Sequence, residues 1–117
     1  MAWQPIARTD SLPVGECRVV ETSARKLALY RLVDGWYCTQ NECLHQGGYL
    51  GDGIISRGEV VCPVHQWRFD IKTGACQMSP GTRIRTYPCR EVGEVVEVDL
   101  EAGTPLTLAL PGDDGDG

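Results

Sequence analysis

Apolar and polar positions exchange at short intervals along this chain, and no twelve-residue window keeps a helical period. Residues 26 to 32, KLALYRL, alternate apolar and polar side chains; Asp34-Gly35 follows as a turn, and WYCT at 36 to 39 resumes the extended pattern, which predicts a β-hairpin. GEVVC at 58 to 62 and RFDI at 68 to 71 read as two further strands, with Lys72-Thr73-Gly74 turning the chain back. A second hairpin is expected where RIRTYPCREV, 83 to 92, meets EVVEVDL, 94 to 100, across Gly93. Fourteen glycines and seven prolines punctuate these segments, so the pattern as a whole predicts an all-β protein. A single domain is expected over residues 1 to 110, followed by an acidic flexible tail at 111 to 117, PGDDGDG.

Length and composition narrow the function. The chain has 117 residues, enough for one buried core but not for a second catalytic domain. No apolar run approaches the roughly 18 residues of a membrane helix, so no membrane partner is expected. Acidic residues number 16 against 11 basic, a net charge of -5, which argues against nucleic acid and favours partners with basic docking surfaces. The start, MAWQPIARTD, has neither the basic beginning nor the apolar core of a signal peptide, and a cytoplasmic location is expected. Thiols stay reduced there, so the six cysteines point to metal ligation plus buried spares rather than to a disulfide framework.

The chemistry gathers in CLHQGGYLGDGIISRGEVVCPVH, residues 43 to 65, which contains both histidines of the chain. Cys43 and His45 are separated by one residue, Cys62 and His65 by two, and 16 residues lie between His45 and Cys62. Each pair suits a tight loop, which Pro63 and Gly47-Gly48 help to turn. Two thiolates and two imidazoles can hold a tetrahedral zinc, or a two-iron, two-sulfide cluster with the thiolates on one iron and the imidazoles on the other. With both histidines on metal, no base is left for a Cys-His hydrolase. Cys17, Cys38, Cys76 and Cys89 read as buried small apolar residues or free thiols.

This pattern resembles the Rieske family, whose motif is Cys-x-His, about 16 or 17 residues, then Cys-x-x-His. The likeness extends through HQGGYLGDG and CPVHQWRFDIKTG and, with the flanking strands, over roughly residues 3 to 100. It implies a Rieske fold of stacked antiparallel sheets with two cluster-binding loops at one end. It also implies one [2Fe-2S] cluster, with Cys43 and Cys62 on one iron and His45 and His65 on the other. Such a cluster carries one electron, at roughly -150 to +300 mV. High-potential members carry a serine and a tyrosine two and four residues after the second histidine, where this chain has Trp67 and Phe69. They also have an extra cysteine in each cluster loop, where this chain has Gly48 and Val64. Both departures imply a low-potential centre. Trp67 and Phe69 are expected to pack beneath the cluster, and Arg68 and Asp70 to form a strand-surface pair. Gln66 stands where the family commonly has glycine.

Size then selects among the family's functions. Terminal oxygenases of the family need a second domain for a mononuclear iron, and this chain has neither the length nor the histidines for one. The resemblance implies a small ferredoxin, not itself an enzyme. It would be monomeric when free and would pass electrons from an NAD(P)H-dependent, flavin-containing reductase to a terminal Rieske oxygenase. HQWRFDIKTG is also similar to the small subunit of an assimilatory nitrite reductase, whose partner would be the large flavin and sirohaem subunit. A zinc-binding interaction module is the alternative from another class. Colour separates it, because zinc proteins are colourless and Rieske centres are red-brown.

Overall fold

The structure, a computed structural model, describes residues 3–44, 47–64 and 66–109. The expected tail at 111 to 117 lies outside the described residues. In chain order the strands are β1 (Trp3–Arg8), β2 (Cys17–Glu21), β3 (Lys26–Leu32), β4 (Gly35–Gln40), β5 (Ile54–Ser56), β6 (Glu59–Val61), β7 (Arg68–Asp70), β8 (Thr86–Tyr87), β9 (Cys89–Val92) and β10 (Val95–Asp99). The helical pieces among the described residues are three single 3-10 turns, so the molecule is all-β as the pattern predicts. No helix is long and apolar enough to cross a membrane among these residues.

Three antiparallel sheets form, ordered β1-β10-β9, β2-β3-β4-β8 and β5-β6-β7. The middle sheet has a core on each face, and β3 shows why. Its residues Leu27, Ala28, Leu29 and Tyr30 are all fully buried, not alternately buried and exposed. Successive side chains of a strand point to opposite faces. Leu27 and Leu29 therefore enter an upper core with Trp36, Cys38, Tyr87, Val96 and Val98, against the β1-β10-β9 sheet. Ala28 and Tyr30 enter a lower core with Leu50, Val60, Phe69, Ile71 and Ile84, against the β5-β6-β7 sheet. Tyr30 is wholly enclosed, yet its hydroxyl is satisfied by Thr39 Oγ1 at 2.8 Å.

The hairpins differ from the sequence reading in two places. Leu32 pairs with Gly35, so Val33 and Asp34 form the first turn and Gly35, at φ +152°, already opens β4. Asp34 instead anchors the turn, accepting from the Tyr37 hydroxyl at 3.1 Å and pairing with Lys72. The long strand expected over 83 to 92 is broken at Pro88. Thr86 and Tyr87 pair with Thr39 and Cys38 of β4, whereas Cys89 to Val92 pair with β10. Proline has no N–H for a ladder, and the chain changes sheets there. Its carbonyl accepts from Asp99 N–H at 3.1 Å, which keeps the crossing satisfied.

Candidate metal centre

Two loops leave the lower half of the molecule, and each is closed in the same manner. The first follows β4. Leu50 N–H donates to the Asn41 carbonyl at 2.7 Å, Gly51 N–H to Asn41 Oδ1 at 3.1 Å, and Cys43 N–H to the Gly48 carbonyl at 2.7 Å. Asn41 is buried, so its side chain is a fixed strut under this loop. The second loop joins β6 to β7, where Val61 pairs with Arg68 and Cys62 N–H donates to the Trp67 carbonyl at 2.8 Å. Both cysteines thus bind the carbonyl five residues on, 43 to 48 and 62 to 67, which closes the base of each loop.

The structure brings Cys43 and Cys62 into one lower core, 4% and 0% exposed. Gly48 of the first loop lies against Cys62 of the second. A Cβ at Gly48 would fall 2.7 Å from Cys62 Sγ and 2.9 Å from Val64 Cγ2, closer than real contacts allow. Gly47, at φ +69°, makes the turn; Gly48 is there for space, a reason the loop-turn reading of Gly47-Gly48 did not separate. The same position explains the departure from the high-potential pattern. A Cβ at 48 would be 3.1 Å from Val64 Cβ, so the two positions are neighbours, and here a valine fills against a glycine.

Val64 N–H also points to Cys62 Sγ at 3.4 Å, a donor placed to stabilise negative charge on that sulfur. His45 and His65 lie outside the described residues, as does Gln46, which follows His45 in the first loop. Accordingly, no group of three or more potential ligands occurs among the described residues. What the structure does show fits a cluster: two buried thiols from separate loops, a glycine that lets the first loop close onto the sulfur of the second, and a backbone donor on that sulfur.

Phe69 is fully buried and Trp67 half-buried, their ring centroids 6.5 Å apart, and both pack in the lower core that holds Cys43 and Cys62. Trp67 shares a cleft of about 280 Å³ with Leu44, Ser79, Thr82, Leu108 and Ala109, so apolar side chains next to both loop tips face one another. Arg68 and Asp70 do not serve as the expected pair. Arg68 reaches Glu59 across the strand at 3.8 Å, while Asp70 Oδ1 accepts from Lys72 and Thr73 N–H, both at 2.9 Å, and so builds the turn after β7.

Gln66 holds φ +59° in an exposed position. This left-handed conformation lets the Trp67 carbonyl turn back to Cys62, and it costs a non-glycine residue roughly 1 kcal/mol. Glycine would relieve that cost but loses about as much through unfolded-state entropy. Gln66→Gly is therefore expected to change stability by less than about 0.5 kcal/mol, whereas Gln66→Val, β-branched at the same φ, costs about 1–3 kcal/mol. Urea unfolding midpoints of the two variants check the contrast, and equal midpoints would refute it.

The remaining thiols are free and buried or half-buried, as expected. Cys76 belongs to the lower core. Cys17 places its thiol 3.4 Å from the Gly53 carbonyl; burial, with Asp52 and Glu16 nearby, pushes it from the ordinary 9.0 to about 11. It is not a reactive thiolate near neutral pH.

The chain matches the family model described as Rieske [2Fe-2S] domain over residues 2–88. Among curated proteins it is 35% identical over 99 residues to the ferredoxin component of the naphthalene 1,2-dioxygenase system of Pseudomonas aeruginosa, covering 84% of this chain and 95% of that one. Among solved structures, the ferredoxin of carbazole 1,9a-dioxygenase from Nocardioides aromaticivorans superposes with a TM-score of 0.77 at 27% identity, covering 84% of this chain and 97% of the other. A Mycobacterium tuberculosis chain described as an NADH-dependent nitrite reductase small subunit superposes at 0.75 with 26% identity, covering 83% and 93%.

Proposed function

We propose that this chain, which belongs to the Rieske [2Fe-2S] domain family, is a one-electron carrier whose cluster is held by Cys43 and Cys62 on one iron and by His45 and His65 on the other. When bound, such a cluster supplies one-electron redox chemistry. The protein's own part is to fix the two thiols, exclude water and tune the sulfurs. The hydrogen bonds from Cys43 and Cys62 N–H fix the backbone of both loops. Leu44, Val64, Trp67 and Phe69 supply the apolar wall. Val64 N–H is one donor toward Cys62 Sγ. Phe69 has no hydrogen to donate, so less negative charge is stabilised on the cluster sulfurs, and the potential falls near the lower end of roughly -150 to +300 mV. The observation that carries this reading is the convergence of two buried thiols from separate loops, Cys43 and Cys62, with Gly48 of the first loop pressed so close to Cys62 Sγ that no side chain fits there.

Relatives named as ferredoxin components of dioxygenase systems, and a solved complex of such a ferredoxin with its oxygenase, support a terminal Rieske oxygenase as the recipient of the electron; in this reading a flavin-containing reductase supplies it, and the carrier is monomeric and cytoplasmic. The folded unit is a single Rieske domain over residues 1 to 110. Controlled-potential reduction of the purified protein tests the electron-carrier reading. One electron per chain, at a potential nearer -150 than +300 mV, is expected; no reversible electron uptake in that range would overturn it. Isolation under native conditions separates the oxygenase system from a nitrite reductase. A stable complex with a large flavin and sirohaem protein would place the chain as that enzyme's small subunit.

A further inference from the structure

Cys38 and Cys89 stand apart from the cluster loops and from each other in sequence, yet the fold brings both side chains to one core and one cleft. The crossing at Pro88 does this. Cys38 of β4 pairs with Tyr87, the last residue of one sheet, and Cys89 opens β9 in the other sheet two residues later. Both side chains pack in the upper core, and both line a cleft of about 300 Å³ whose walls include Trp36, Tyr37, Tyr87 and Lys72. The cleft admits a molecule the size of water or peroxide. Cys38 is 1% exposed and Cys89 half-buried, so a reagent entering the cleft meets Cys89 first.

We propose that Cys38 and Cys89 are a modification site, a thiol pair that hydrogen peroxide closes into a disulfide joining the middle sheet to the β1-β10-β9 sheet. The Cys89 sulfur attacks one peroxide oxygen, forming an S–O bond as the O–O bond breaks, and its thiol proton leaves in the first water. The Cys38 sulfur then displaces the hydroxyl from Cys89; the S–S bond forms, and the Cys38 proton departs with the hydroxyl as the second water. Two electrons pass from the sulfurs to peroxide. Burial and the adjacent Cys89 push the Cys38 thiol up, so it keeps its proton until that step. Reactant and product are both uncharged, and no ion is left in the apolar core.

The bond would tie β4, whose end leads into the Cys43 loop, to β9 on the far side of Pro88, and closing so long a loop raises the melting midpoint. Cys17 makes the internal contrast: its S–H is turned to the Gly53 carbonyl and not toward a second cysteine.

The test is to expose the folded holoprotein to slightly more than one equivalent of hydrogen peroxide, block the remaining thiols with iodoacetamide and map the peptides. Cys38 shares a tryptic peptide with Cys43, so fragmentation assigns the linked sulfur. A Cys38–Cys89 cross-link is expected as the main product, reversed by dithiothreitol, with a melting midpoint several degrees above that of the reduced protein. Cys89→Ser is expected to lose both the cross-link and the rise. Free Cys38 and Cys89 after treatment, a Cys89 sulfinic acid without cross-link, or Cys38 joined to another cysteine would each overturn the proposal. The wild-type map needs no variant and decides the matter even if Cys89→Ser does not fold.

Discussion

Serine in place of Cys62 is expected to leave a folded protein that retains almost no iron, against two irons per chain in the parent. A serine hydroxyl holds its proton far more tightly than a thiol and is a poor match for iron that binds sulfide and thiolate. Cys43→Ser is expected to behave alike, because each thiolate supplies half of the sulfur ligation from the protein. Cys17→Ser is the control. That thiol lies outside the loops, bonded to the Gly53 carbonyl, and its loss leaves iron content unchanged. Iron and acid-labile sulfide assays on the three variants, with circular dichroism to establish folding, distinguish a ligand from a merely buried cysteine. A red-brown Cys62→Ser protein with full iron would remove Cys62 from the site.

Gly48→Ala tests the same site through space rather than ligation. The new methyl lands 2.7 Å from Cys62 Sγ and 2.9 Å from Val64 Cγ2. Neither yields easily: Cys62 is fully buried, and its N–H is tied to the Trp67 carbonyl. The two loops must separate, an overpacking cost of about 1–3 kcal/mol. Because the separation occurs at the sulfur itself, the rate of cluster loss on warming is expected to rise along with the fall in the urea midpoint. Gly47→Ala makes the contrast. Nothing lies within 4 Å of its Cβ, so it carries only the left-handed backbone cost of about 1 kcal/mol and leaves the thiol pocket intact. Adding Val64→Ala to Gly48→Ala removes one of the two clashes, and partial recovery is expected. If Gly48→Ala keeps parental stability and cluster lifetime, the close approach of the loops is not what holds the site.

Much of the site was legible because its chemistry is compressed into two short motifs. Cys43 and Cys62 could be paired from spacing, and the structure places both in one core. Gly48 was harder. A glycine next to another glycine looks like a turn, and only the approach of a second loop, 14 residues away in sequence, reveals that one of the pair is required for space. The fold was legible where strands meet across short turns, as in β3 and β4 or β9 and β10. β1 was missed because Pro5 argues against a strand; it survives as an edge, paired only with β10 and bulged between Pro5 and Ala7. β3 was read as alternating, whereas Leu27 to Tyr30 are all buried, because a strand between two cores has no solvent face to betray its period. Pro88 could have been read as a break, since a ladder cannot run through it, but its role as the crossing between sheets depends on which partner each half finds.

The most direct measurement is anaerobic preparation of the chain, with reconstitution by iron and sulfide if needed, followed by counting both and recording electron spin resonance before and after reduction. Two irons and two acid-labile sulfides per chain, with a signal that appears only on reduction, are the expected result. Folded protein that binds neither iron nor sulfide after reconstitution would contradict the assignment of Cys43, His45, Cys62 and His65 as cluster ligands.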